Sequence, residues 1–373
     1  MLIGVPKEIK NHEYRVGLTP AVVSELTQRN HQVLIETTAG DGVGFSDDDY
    51  TRAGASIVAD AAAVFAQAEM IVKVKEPQAV ERKMLKAEQT LFTYLHLAPD
   101  VPQTNDLIAS GATCIAYETV TDSFGRLPLL APMSEVAGRM SIQAGAHCLE
   151  KYCGGRGLLL GGVPGVEPAK VVVLGGGVVG QNAIAMAVGL GADVIVLDKN
   201  VDVLRRLDQH YGNRIKTVFS TAQAIEDHIF EADLVIGGVL IPGAAAPKLI
   251  TREHIKQMKP GSAIVDVAID QGGCAETSVA TTHQDPTFIV DDVVHYCVAN
   301  MPGAVARTST LALNNATFSY VLALAEKGTK RALEEDPHLL NGLNVAKGKI
   351  TCKSVAEAQN LSYTPARDML LEI

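Results

Sequence analysis

The chain has 373 residues, room for two domains, because single hydrophobic cores stop growing at roughly 250 to 300 residues. Its 47 % hydrophobic and 20 % charged content is ordinary for a globular protein, and a net charge of −10 argues against nucleic-acid partners while leaving room for a local cationic site. The N-terminal stretch is charged from Lys7 and lacks the apolar run of a signal peptide, and no later stretch reaches the ~18 apolar residues of a membrane span. Six scattered cysteines (Cys114, Cys148, Cys153, Cys274, Cys297, Cys352) without CxxC spacing argue against a disulfide framework or a metal site and predict buried thiols in a reducing cytoplasm.

Residues 1–128 read as alternating strands and helices. Leu2 to Pro6 is a predicted strand and Pro20 to Gln28 a helix capped by Thr19; strands follow at Val33 to Glu36, Ser56 to Val58, Met70 to Val74 and Thr90 to Leu95. Helices are expected over Ser46 to Gly54, Asp60 to Gln67 and Gln78 to Leu85. This order predicts a mostly parallel sheet, whose ligands collect at the carboxyl ends of strands. Arg15, Lys75 and His96 fall at such ends. Each also has an ordinary reading: a solvated loop charge, a strand-end surface charge and a hydrogen-bonded loop histidine.

Residues 129–305 open with a predicted small-residue helix from Met133 to Tyr152, with Ser134 and Glu135 at its start. A glycine-rich stretch, Gly154 to Gly165, serves as a connector or contributes to a ligand loop. Then comes an apolar run, Val171 to Val173, leading into Gly175-x-Gly177-x-x-Gly180, a small-residue helix, and a second apolar run ending on Asp198, eighteen residues beyond Gly180. The first glycine permits a tight turn, the second a close approach to a pyrophosphate, the third close packing of the helix, whose N-terminus faces the anion. A carboxylate at Asp198 suits adenosine ribose hydroxyls and disfavours a 2′-phosphate, so the segment predicts an NAD site. Strands at Ile215 to Phe219, Leu234 to Ile236, Ala263 to Val267 and Thr287 to Val290, with helices between, extend it into a doubly wound parallel dinucleotide-binding sheet. Loops beyond these strands carry Ser220, Val239, Ile269, Asp270 and Val298 to Met301; Asp270 alone is equally a turn or helix cap. Residues 306–373, with a long helix from Arg307 to Ala325 stopped by Gly328, are too few for their own core and are expected to return to the first domain. The fold class is therefore α/β with two Rossmann-like domains.

Five stretches point to a family: Gly4-Val5-Pro6-Lys7-Glu8-Ile9-Lys10, Glu13-Tyr14-Arg15-Val16, Val72-Lys73-Val74-Lys75-Glu76-Pro77, Tyr94-Leu95-His96-Leu97-Ala98 and Val267-Ala268-Ile269-Asp270-Gln271-Gly272-Gly273. Together they resemble the alanine dehydrogenase family over essentially the whole chain, and in part the NAD-binding subunit of proton-translocating nicotinamide nucleotide transhydrogenase. The resemblance implies reversible NAD-dependent oxidative deamination of L-alanine to pyruvate and ammonia. It implies that Arg15 and Lys75 hold the substrate carboxylate, that His96 is the acid/base and that Asp270 assists proton transfer. It assigns Ser134, Asp198, Ser220, Val239, Ile269, Asp270 and Val298, Ala299, Asn300 and Met301 to the coenzyme, beside Gly175, Gly177 and Gly180, and implies a homohexamer; no metal is required, because the nicotinamide itself accepts the hydride. The chemistry suits these residue types: two cations fit a carboxylate in a partly desolvated cleft, and histidine moves protons near neutral pH. The rival reading is the transhydrogenase subunit, which would dock on a membrane partner.

Overall fold

The computed structural model describes residues 1–239 and 246–373. Apolar runs too short for a stable helix become strands: β1 Leu2–Val5, β2 Gln32–Glu36, β3 Ser56–Val58, β4 Met70–Val72, β5 Thr90–Thr93 and β6 Thr113–Ala116. Further along lie β7 Lys170–Leu174, β8 Asp193–Asp198, β9 Ile215–Phe219, β10 Leu234–Gly237, β11 Ala263–Asp266, β12 Thr287–Val290, β13 Val293–Tyr296, β14 Leu343–Ala346 and β15 Lys349–Ile350. Intervening helices start where a side chain accepts an otherwise orphaned N–H: Thr19 before Pro20–Thr27, Ser46 in a reciprocal capping box with Asp49, Asn200 before Val201–Tyr211 and Thr221 before Ala222–Ile229.

The chain divides into two compact units, residues 1–132 with 305–373, and residues 133–304. The first holds a sheet of order β15-β14-β6-β5-β4-β1-β2-β3. From β3 to β6 every pairing is parallel, while β14 runs antiparallel to β6 and to β15. The C-terminal segment thus completes the sheet that the N-terminal residues begin, and its Val345, Ile350 and Val355 share a core with Leu91, Leu107 and Cys114.

The second unit holds a sheet of order β12-β13-β11-β10-β7-β8-β9, parallel except for the β12 and β13 hairpin. Alternate residues of β7 enter different cores, Val171 and Val173 one, Val172 and Leu174 the other. Both faces are covered, which is why this strand reads as an unbroken apolar run.

Several boundaries differ from the sequence reading. The helix expected from Met133 starts at Ala131 and ends at Cys148, since a proline in the first turn gives up only an N–H that has no helical partner. Strands expected to reach Val74 and Leu95 stop at Val72 and Thr93, and the residues beyond turn into the loops that carry Lys75 and His96. The helix Val101–Ser110, β6, β13 and the β14 and β15 hairpin are additions. Among the described residues no helix is long and apolar enough to cross a membrane.

Candidate functional site

The two sheets share a strand order. Outward from the first strand of each, β3-β2-β1-β4-β5-β6 repeats as β9-β8-β7-β10-β11-β13. The order reverses between β1 and β4 and again between β7 and β10, the places where open α/β sheets form a crevice beyond the strand ends.

In the second unit that crevice is lined by backbone. Gly175 follows β7 with φ +95°, and a Cβ there would sit 3.1 Å from both the Gly238 carbonyl and Val239 Cγ2, just beyond β10. A Cβ on Gly180 would lie 1.8 Å from the Gly175 carbonyl oxygen, so only glycine lets the helix Val178–Gly189 start against its own loop. Among the described residues, a Cβ on Gly177 would meet nothing within 4 Å. Here glycine is not required by internal packing, and the open space is where a bound group can approach the helix N-terminus. Asp198, ending β8, accepts from Gly176 N–H with Oδ2 and from Asn200 N–H with Oδ1, both at 2.7 Å. Ser220, beyond β9, is buried and its N–H donates to the Asp198 carbonyl at 3.0 Å.

Beyond β11 the chain makes a 3-10 turn, Val267–Gln271, with Ile269 buried and Asp270 exposed, closed by Gly272 at φ +89°. Val298 and Met301 are core residues, so their loop offers its backbone and the half-buried Ala299 and Asn300. Asn300 has φ +64°, and its carbonyl lies 3.1 Å from His283 Nε2. Ser134 sits half-buried in the first turns of the helix Ala131–Cys148.

In the first unit the corresponding crevice is filled by charge. Arg15, in the loop after β1, is 2 % exposed and holds Glu13 in a fork, Nε to Oε1 at 2.6 Å and a terminal guanidinium nitrogen to Oε2 at 2.5 Å. Burial opposes this charge, but Glu13 outweighs it and keeps the guanidinium above its ordinary range. Glu8, from the same loop, reaches across to the residues after β4: Oε1 accepts from Val74 N–H at 2.7 Å and Lys75 N–H at 3.3 Å. Its other oxygen lies 3.1 Å from Lys73 Nζ, which also donates to Glu81 at 2.7 Å. Lys73 is fully buried; burial works against its charge, and Glu8 and Glu81 together hold the ammonium above its ordinary range. Burial raises the neighbouring Glu76 carboxyl, but Lys75 and Lys10 outweigh it and leave the group below its ordinary range.

His96 stands beyond β5 with φ +49°, its imidazole 47 % exposed and stacked on Tyr94 at 5.8 Å between centroids. Tyr94 is fixed in turn by donating to the Leu129 carbonyl at 2.5 Å. Arg15, Lys75 and His96 therefore share one end of one sheet, on the loops after β1, β4 and β5, while Ser134, the glycines, Asp198, Ser220, Val239, Ile269, Asp270 and Val298 to Met301 belong to the other unit.

Residues 4–137 match the family described as Alanine dehydrogenase/PNT, N-terminal domain, and residues 141–353 match Alanine dehydrogenase/PNT, C-terminal domain. The chain belongs to the alanine dehydrogenase/PNT family. A relative from Halomonas elongata, named alanine dehydrogenase, is 62 % identical over 370 residues, covering 99 % of this chain and all of the relative. A solved structure titled L-alanine dehydrogenase superposes with a TM-score of 0.94 at 53 % identity, covering 96 % of this chain and 99 % of that one. A transhydrogenase from Sinorhizobium meliloti superposes at 0.82 with 26 % identity, covering 94 % and 100 %.

For a member of the alanine dehydrogenase/PNT family, the glycine cradle and the Asp198 carboxylate fit NAD, and among the described residues no group of three or more His, Cys, Asp or Glu could hold a metal ion. Sequence reasoning missed the carboxylates that fix the cations and the histidine: Glu13 on Arg15, Glu8 on Lys73 and the Lys75 backbone, and Glu118, whose oxygens take the Leu95 and His96 N–H groups. Only Glu13 carried a local signal, two residues from Arg15.

Proposed function

We propose that this enzyme is an L-alanine dehydrogenase, interconverting L-alanine, water and NAD+ with pyruvate, ammonia, NADH and a proton. The observation that carries this reading is the pairing, in one chain, of a glycine cradle fit for NAD with a sheet end bearing two cations and an exposed histidine. End-to-end likeness to proteins named alanine dehydrogenase favours it over the transhydrogenase reading.

Residues 133–304 hold the coenzyme: Gly175, Gly177 and Gly180 admit its pyrophosphate, Asp198 faces the ribose, and Ser134, Ser220, Val239, Ile269 and Val298 to Met301 line the rest. Bound NAD supplies a hydride acceptor. Residues 1–132 and 305–373 handle the substrate. Arg15, its fork held by Glu13, contributes its guanidinium charge to the substrate carboxylate and Lys75 adds a second positive charge, an attraction worth more where water is excluded. Once Cα has lost its hydride the substrate is an iminium, and His96 takes a proton from the attacking water. It then returns a proton as the carbinolamine expels ammonia, a task for an imidazole, whose ring nitrogens can both take and give a proton. Asp270 offsets the developing positive charge. We further propose a homohexamer, from the family resemblance, and a cytoplasmic enzyme, which six unpaired cysteines support.

The test follows NADH absorbance with purified protein and a panel of L-alanine, L-serine, glycine and L-lysine. L-alanine is expected to give the highest kcat/KM, and equal turnover of L-lysine would move the enzyme to another reaction. His96→Ala should lower turnover in both directions by about 100-fold or more; near-wild-type turnover would remove it from the acid/base role. Sedimentation should return about six times the 39.5 kDa chain mass.

A further inference from the structure

We propose that Glu118 is the positioning residue of His96, acting through the main chain: its carboxylate pins the 95–96 backbone and so fixes where the imidazole stands. The proposal rests on the reading of His96 as the proton-transfer group.

The backbone at His96 needs such a restraint. Its φ of +49° lies in the left-handed region, where a residue bearing a Cβ is strained and persists only when its surroundings enforce it. β6 lies beside β5 with Ala116 opposite Thr93, so the 3-10 turn Tyr117–Thr119 emerges next to residues 95 and 96. From that turn Glu118 Oε1 accepts from His96 N–H at 2.6 Å, and both carboxylate oxygens lie 3.2 Å from Leu95 N. The other side of the segment is also held, because the fully buried Gln103 donates to the Leu95 carbonyl at 2.6 Å. The ring itself is not the partner: His96 Nδ1 is 3.9 Å from Glu118 Oε1, beyond a hydrogen bond.

The Tyr94 ring thus walls the side chain on one face, and its root is clamped by Glu118 and Gln103. An acid/base must stand within hydrogen-bond reach of the proton it moves, and a misplacement of about 1 Å costs on the order of 100-fold. Among the described residues Glu118 is the acceptor for the His96 N–H, and it supplies that placement through two backbone donors rather than through contact with substrate.

Three substitutions separate reach from charge. Glu118→Gln keeps an oxygen at the same distance and loses the charge; Glu118→Asp keeps the charge and withdraws it by one methylene; Glu118→Ala loses both. Full-length variants are assayed in both directions by NADH absorbance, with NADH titration as the check that the dinucleotide unit is intact. Glu118→Gln should retain kcat within about threefold of wild type. Glu118→Asp and Glu118→Ala should lose about 10- to 100-fold in kcat, with KM for pyruvate moved by less than about threefold. In a His96→Ala background, Glu118→Ala should add less than about twofold, because its effect passes through the histidine. The proposal is overturned if Glu118→Asp turns over like wild type, if Glu118→Gln falls as far as Glu118→Asp, or if the losses from positions 96 and 118 multiply. Should Glu118→Ala fail to fold, the Gln and Asp pair decides. A His96→Ala enzyme with full turnover would instead defeat the acid/base reading, an outcome seen independently of the Glu118 series.

Discussion

The crevice between β1 and β4 and the crevice between β7 and β10 occupy the same place in the same strand order, yet they are built from opposite materials. The second is a backbone surface, where side chains have been removed: Gly180 packs against Gly175, and no described residue lies within 4 Å of where a Gly177 Cβ would stand. The first is a knot of ionised side chains in which Glu8 joins the loop after β1 to the residues after β4, with Lys73 and Glu81 behind it. Strand order locates a crevice, and the loop residues decide whether it receives an anion on N–H groups or presents fixed charge.

That contrast can be broken by experiment, most strongly at Gly180. In Gly180→Ala a methyl group 1.8 Å from the Gly175 carbonyl must displace the loop, and NADH affinity measured by fluorescence titration should fall by at least about 100-fold, if the unit folds at all. Gly177→Ala is the control: with no described residue within 4 Å of the added Cβ, it should leave the thermal midpoint unchanged and weaken NADH binding alone. Equal loss of stability from both would show that the second crevice is an internal packing feature after all.

The counterpart in the first unit is Glu8→Ala. It leaves the fully buried Lys73 with Glu81 as its remaining carboxylate and strips the acceptor from the Val74 and Lys75 N–H groups. Breaking a buried pair from one side costs about 3 to 5 kcal/mol, and urea unfolding should register a loss of that size. A loss below about 1 kcal/mol would mean that water reaches Lys73 and the knot is dispensable.

An effect smaller per group, present in both units, appears at alkaline pH. Burial pushes the Cys114 thiol in the first unit, and Cys148 and Cys297 in the second, from the ordinary 9.0 up to about 12. Above pH 9 the unfolded chain releases protons that the folded chain keeps, so ν for the unfolded state is the smaller and stability falls as pH rises. It should be flat with respect to these thiols below pH 9 and decline between 9 and 12, by about 1.4 kcal/mol per thiol at roughly one unit above 9. Denaturant midpoints that stay constant across that range would show the thiols to be accessible.

Which parts of this molecule could be read from sequence follows from how far apart the interacting residues lie. The strand, glycine turn, helix and second strand through Asp198 are contiguous, and each local preference agrees with the fold; the strand Ile215–Phe219 and helix Val201–Tyr211 were legible to the residue for the same reason. Two hairpins escaped notice because their turns lack the usual Asn-Gly. Asp291 and Asp292 take φ of +48° and +62° between β12 and β13, and Lys347 and Gly348 take +47° and +78° between β14 and β15. β13 also carries His295, a polar residue that is fully buried and satisfied by Thr277 and the Val293 carbonyl, contacts no sequence window displays. In the candidate site, residue types and strand-end positions were visible for Arg15, Lys75 and His96, whereas their anchors were not. Glu8 meets Lys73 across 65 positions and Glu118 meets His96 across 22, distances over which only the sheet order brings side chains together.

The return of the C-terminal segment to β6 has a consequence for biosynthesis. Ala116 ends β6 and Leu343 begins β14, 227 positions later (343 − 116). At a translation rate of roughly 5 to 20 residues per second, β6 waits on the order of ten to forty seconds for its neighbour. During that interval residues 133–304, an uninterrupted stretch with a sheet of its own, can emerge from the ribosome and fold first. The nascent first unit meanwhile carries a raw edge of unpaired N–H and C=O groups along β6, a template for pairing with another chain. Arrival of β14 seals it, so the first unit to be synthesised is the last to be finished, and a stalled or truncated chain is exposed to aggregation at that edge.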